Sequence, residues 1–135
     1  MGTWDIGHFD NDTAADFGHN VDDAPSQKRA DVLSDALRRT IATTGFLDSD
    51  EGAEAVAAAA LIAAQCPGGE PITTAYGPKE PLPPLPVELR PLAVEALDRV
   101  LGEESELLEL WAESGEADAW RAGIDQLRAT LTTTG

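Results

Sequence analysis

The sequence predicts an all-α fold, a single compact bundle of five or six helices with an N-terminal arm and a proline-rich strap, on three observations. Outside the N-terminal arm and one later stretch, apolar residues recur at three- and four-residue steps, the period of one helix face. Apolar residues make up 42% of the chain and aromatics only 5%, so the core must be built from Ala, Leu, Val and Ile, which lets helices pack closely. Seven prolines and three glycines fall between Cys66 and Pro86, where no helix can continue. The 135 residues are the size of one domain, 1–135, which can bury roughly two thirds of the surface its unfolded form exposes.

Residues 1–23 form the arm, dense in Asp, Gly, Asn and single aromatics, with no sustained period. Asp10-Asn11-Asp12 ahead of Thr13-Ala14-Ala15-Asp16-Phe17 reads as a cap and first turn, because short side-chain oxygens there accept from free N–H groups. Gly18 and Asn20 are expected to close that short helix. Pro25 suits the first turn of a second helix, carried by Val32, Leu33, Ala36, Leu37 and Ile41 and ended by Gly45. Asp48 or Ser49 is placed to cap a third, with Asp50, Glu51 and Glu54 complementing the positive end of its dipole. Ala53, Val56, Ala57, Ala60, Leu61 and Ala64 form its buried stripe, and its alanines let a neighbouring backbone approach; this is the expected central helix.

Residues 67–86, with Pro81-Leu82-Pro83-Pro84-Leu85-Pro86, are a long Pro/Gly-rich loop. An extended strap packed over the bundle by Tyr76, Leu82 and Leu85 is the simpler expectation, a lid or a polyproline ligand the alternative. Helical spacing resumes from Val87 to Leu101, where Pro91 must sit in the first turn or kink the helix. Glu103 to Trp111 follows, and after Gly115 a last helix carries Trp120, Ile124, Leu127 and Leu131, with a Thr-Thr-Thr-Gly tail expected to fray.

Charge narrows the partners. With 25 acidic and 9 basic residues, the formal net charge of −16 repels a phosphate backbone and an anionic membrane surface, so neither nucleic acid nor membrane is an expected partner. An acidic surface promotes solubility, and it can also steer a cationic ligand or a basic protein. The lone Cys66 rules out an internal disulfide and a multi-cysteine zinc site and fits a reducing cytoplasm. No basic region precedes an apolar stretch at the start, and the apolar run from Ala55 to Ala64 is too short to span a bilayer, so a cytoplasmic location without export or anchor is expected.

The opening Gly2-Thr3-Trp4-Asp5-Ile6-Gly7-His8-Phe9-Asp10-Asn11-Asp12-Thr13-Ala14-Ala15-Asp16-Phe17 resembles the bacterial family known as domain of unknown function 4259. The likeness runs on through Asp22-Asp23-Ala24-Pro25, the Ala-rich helix ending Ala63-Ala64-Gln65-Cys66-Pro67-Gly68, and Leu89-Arg90-Pro91-Leu92-Ala93. It implies an all-helical domain with its signature in the arm, and no established activity. It also accounts for Gly2 after Met1 better than a lipidation signal does. Against that resemblance His8 stands where Pro or another small residue is expected, and His19 where a polar or acidic one is.

Trp4, Phe9 and Phe17 sit among carboxylates, and the simplest account is that they plug the arm onto the helical body; the functional alternative makes Trp4 a pocket wall. Asp5, Asp10, Asp12, Asp16, Asp22 and Asp23 invite a metal, but Asp10 to Ala15 lacks the third ligand and the Gly of a calcium loop, so caps and surface solvation explain them. His8 and His19 are the two histidines, each beside carboxylates; an imidazole exchanges a proton near neutral pH and an adjacent Asp can fix its tautomer. Cys66 lies at a helix end rather than a helix start and reads as inert core. Walker, Rossmann, Ser-His-Asp and zinc-helix motifs do not occur in the sequence.

Two functions fit. One is a cofactor-free acid–base enzyme acting on a small, largely apolar metabolite by dehydration, isomerisation or cyclisation. In it His8 or His19 removes a proton, Asp5, Asp10 or Asp16 orients the imidazole or returns the proton, and Trp4, Phe9, Phe17 and Tyr76 bind substrate. The other is a non-catalytic acidic binding module, immunity-type or regulatory, that meets a basic protein.

Overall fold

The computed structural model describes residues 12–25, 28–43, 45–64, 85, 88–102, 105–115 and 117–132. Among them run six helices: α1 (Asp12–Asp23), α2 (Arg29–Ala42), α3 (Ser49–Ala64), α4 (Leu89–Leu101), α5 (Glu106–Ser114) and α6 (Ala117–Thr132). The fold is an all-α bundle.

α3 is its axis and packs against each of the other five helices. After Glu54 it carries no charged side chain, and every residue from Ala55 to Ala63 is buried. The expected one-sided stripe is therefore replaced by burial on all sides. The reason is the alanines: a methyl group lets a neighbouring helix come close from any direction, and neighbours occupy every direction. α2 and α4 are amphipathic in the ordinary way, burying Leu33, Ala36 and Leu37 from one and Leu89, Ala93, Ala96, Leu97 and Val100 from the other. Pro91 is the third residue of α4, inside the first turn, where its missing N–H has no helical acceptor to lose. α5 and α6 are joined at Gly115, whose φ of +81° closes α5 in the left-handed conformation. Across that turn Trp111 and Trp120 stack with ring centroids 6.2 Å apart and planes inclined by 16°.

Three boundaries differ from the sequence expectation. α1 does not close at Gly18 or Asn20 but continues to Asp23, because Phe17 and Val21, four residues apart, keep its core face packed. Its end is held instead by Arg29, whose Nε donates to the Ala24 carbonyl at 3.0 Å and whose Nη2 donates to the Asp22 carbonyl at 3.0 Å. A cation on the last carbonyls of a helix complements its dipole. Pro25 lies in the turn before α2, where its carbonyl accepts from the Lys28 N–H at 2.8 Å, and α2 begins only at Arg29. α2 in turn ends at Ala42, with Gly45 (φ +80°) reversing the chain three residues later.

Candidate functional site

The most constrained non-helical segment among the described residues joins α2 to α3. Gly45 takes positive φ, so the chain leaves α2 sharply. Its carbonyl accepts a hydrogen bond from Arg99 Nη2 on α4. Leu47 is fully buried and forms an isolated parallel bridge with Ser105. The Leu47 carbonyl accepts from the Glu106 N–H at 2.9 Å, and Glu106 Oε1 accepts from the Ser49 N–H at 2.8 Å. Glu106 thus caps α3 from the first turn of α5, while the Asp48 carbonyl accepts from the Gly52 N–H at 3.1 Å. The Ser105 hydroxyl caps α5 itself, accepting from the Leu108 N–H at 3.4 Å. Gly52 faces Leu107, which brings the first turns of α3 and α5 together.

Between two pinned neighbours, Phe46 points outward. It is 49% exposed, the one large apolar side chain left so among the described residues. Asp48 and Asp50 are exposed close to it in the chain, and Glu51 is half-buried. Here α1 joins as well: Thr13 Oγ1 donates to Asp50 Oδ1 at 3.0 Å, which brings the start of α1 to the head of α3. The Thr43 hydroxyl lies 2.7 Å from the Arg39 carbonyl and 3.1 Å from Glu51 Oε2, and the buried Thr40 hydroxyl donates to the Glu51 carbonyl at 3.2 Å. Arg39 reaches Glu54 at 3.4 Å.

Two carboxyl groups here depart from ordinary behaviour in opposite directions. Burial raises the Glu54 carboxyl above its usual value; Arg39 works against that rise, and the charges of Asp50 and Glu51 add to it. The Glu106 carboxyl is held low by the Ser49 backbone N–H, with the Ser49 side chain contributing in the same direction.

Of the site residues expected from sequence, three lie in the described part. Phe17 is in the core, 2% exposed, and packs α1 onto the bundle. Asp16 and His19 are three residues apart on α1 and both exposed. Trp4, Asp5, His8, Phe9, Asp10 and Tyr76 lie outside the described residues, as do Cys66 and residues 67–84 of the strap. Leu85 of the strap is half-buried against the core. Among the described residues no three His, Cys, Asp or Glu stand together to hold a metal ion, and no helix is long and apolar enough to cross a membrane. A shallow surface groove runs along α2 past Val32, Asp35, Arg38, Arg39 and Ala42.

Sequence reasoning missed Phe46, Glu54 and Glu106. Gly45-Phe46-Leu47 showed a glycine ahead of two apolar residues, a signal that one of them must turn outward without saying which. Glu54 was visible only as dipole complement, and Glu106 only as part of a helix, because the partner of each is set by tertiary packing.

The model of the family described as domain of unknown function (DUF4259) matches residues 2–123. The chain belongs to that family. The match takes in α1 to α5 and the first turns of α6, so the pinned loop and the head of α3 both lie inside the DUF4259 domain. No curated protein and no solved structure matches this DUF4259 chain.

Proposed function

We propose that this protein is a non-catalytic acidic binding module, immunity-type or regulatory, that meets a basic protein. The observation that carries the reading is how the charges are disposed. Four arginines are engaged within the bundle: Arg29 on the end of α1, Arg39 on Glu54, Arg99 on the Gly45 carbonyl and Arg128 on Asp98. Carboxylates face outward on every helix but α3's body, including Asp16, Asp31, Asp35, Glu95, Glu109, Glu113, Asp118 and Asp125. The net charge of −16 is thus displayed on the outer faces of the helices, the condition for electrostatic steering of a cationic surface. The same field disfavours nucleic acid, and the lone Cys66 suits a reducing cytoplasm.

Calorimetric titration against a panel of basic and acidic proteins tests this at rising ionic strength. Complexes with the basic members are expected, weakening steeply once the Debye length falls to about 8–10 Å. Binding of a small apolar ligand that does not respond to salt would count against the module.

The second reading is the acid–base enzyme for a small, largely apolar metabolite, without a cofactor. It is favoured by the raised Glu54 carboxyl at the place where α1 meets α3, and by Asp16 and His19 sharing the exposed side of α1. His8→Ala and His19→Ala variants that both turn over such a substrate normally would remove it.

A further inference from the structure

We infer that the loop from Gly45 to Asp48 is the docking point of that module, with Phe46 inserting into an apolar pocket rimmed by lysine or arginine on the partner protein. The inference rests on the binding-module reading and adds to it a place and a recognition chemistry.

An aromatic ring half out of water on a mobile loop would fold back onto the nearest apolar surface. Phe46 is prevented from doing so. On one side Gly45 is held by the hydrogen bond from Arg99; on the other Leu47 is sunk in the core and bridged to Ser105. The ring is presented at little further cost in loop entropy on binding, the property of a good anchor residue.

The surrounding charge selects the occupant. Beside the loop Arg39 is paired with Glu54, and the charge of Arg99 at the Gly45 carbonyl stands against the carboxylates of Asp48, Asp50 and Glu51. Asp48 and Asp50 are exposed, and although Asp50 accepts from Thr13, a carboxylate offers about four acceptor sites. A partner bringing ammonium or guanidinium groups beside an apolar pocket satisfies both the ring and these oxygens. A second copy of this chain does not, since it brings a like net charge of −16 to the contact.

The test uses the full chain and two amidated synthetic peptides of equal length and charge, one a Leu/Lys amphipathic helix and the other with every Leu replaced by Ser. Affinity is read by anisotropy of the labelled peptide, position by amide chemical shifts. The Leu/Lys peptide is expected to bind at least tenfold more tightly than its Ser counterpart, with shifts centred on residues 45–50 and Arg99. Phe46→Ala should weaken it roughly tenfold, and Asp48→Asn two- to fivefold, with the amide shifts of α4, α5 and α6 in the free variants unchanged, which shows that they fold. Phe46→Leu should recover part of the loss. Equal affinity for both peptides, an unaltered Phe46→Ala complex, or shifts spread over α5 and α6 would overturn the docking point while leaving a basic partner in place. Failure of both peptides to bind at low salt would overturn the binding module together with its docking point, whereas a dimer that forms through Phe46 would overturn the docking point alone.

Discussion

The body and the head of α3 belong to one helix and are held by different physics. From Ala55 to Ala63 the helix is buried on all sides, free of charge, and fixed by close contact with its neighbours. From Ser49 to Glu54 it carries all its carboxylates, and it is fixed by hydrogen bonds to Glu106, Thr13, Thr40, Thr43 and Arg39. Packing is unforgiving of volume but indifferent to pH and salt. Hydrogen bonds between surface elements are the reverse. One half of α3 is thus sensitive to volume, and the other to pH and salt.

Substitutions can break that contrast, the body being the more sensitive. Ile62→Ala removes buried apolar volume next to the alanines and is expected to cost about 2–5 kcal/mol, read as a shift of the urea midpoint. Ala58→Leu adds volume where no space exists, and about 1–3 kcal/mol is expected; a smaller cost would mean that α3's neighbours are looser than their burial implies. At the head, Thr40→Val keeps the shape and removes the hydroxyl that donates to the Glu51 carbonyl, for about 1 kcal/mol.

The pH dependence sharpens the comparison further. Glu106 has a folded-state value below the ordinary 4.5, so its contribution is complete above that pH and is lost as pH falls through the lowered value. Glu54 is raised, so folding favours its protonated form, and its effect runs the other way: stability is gained as pH falls through the raised value toward 4.5. Urea unfolding across an acid pH series should therefore show less acid-side loss in Glu106→Gln, and less gain on mild acidification in Glu54→Gln. The body variants should shift the whole curve without changing its slope.

The helical elements were legible because their apolar spacing is a local property. Leu33, Ala36 and Leu37, or Ala93, Ala96 and Leu97, announce a buried face whatever lies opposite. The end of α1 was less legible: Gly18 and Asn20 carry the local signs of a stop, and the packing of Phe17 and Val21 overrides them. The pinned loop was legible only at Gly45, the turn residue after α2. Its constraints come from Arg99, Ser105 and Glu106, more than fifty residues from the loop in sequence, and no local pattern marks a glutamate that will cap another helix. On α1, Asp16 and His19 share the exposed side, as their spacing implies, while Phe17 lies in the core.

The bond from the Ser49 N–H to Glu106 joins groups 57 residues apart. Loop closure over such a distance carries an entropic cost that only the assembled helices on either side can offset. During synthesis the α2–α3 hairpin can form as soon as it leaves the ribosome, but its connecting loop acquires its final shape only after residue 106 has emerged. A nascent or truncated chain ending within α4 would hold much of its core and still lack the contacts that fix Leu47 and present Phe46.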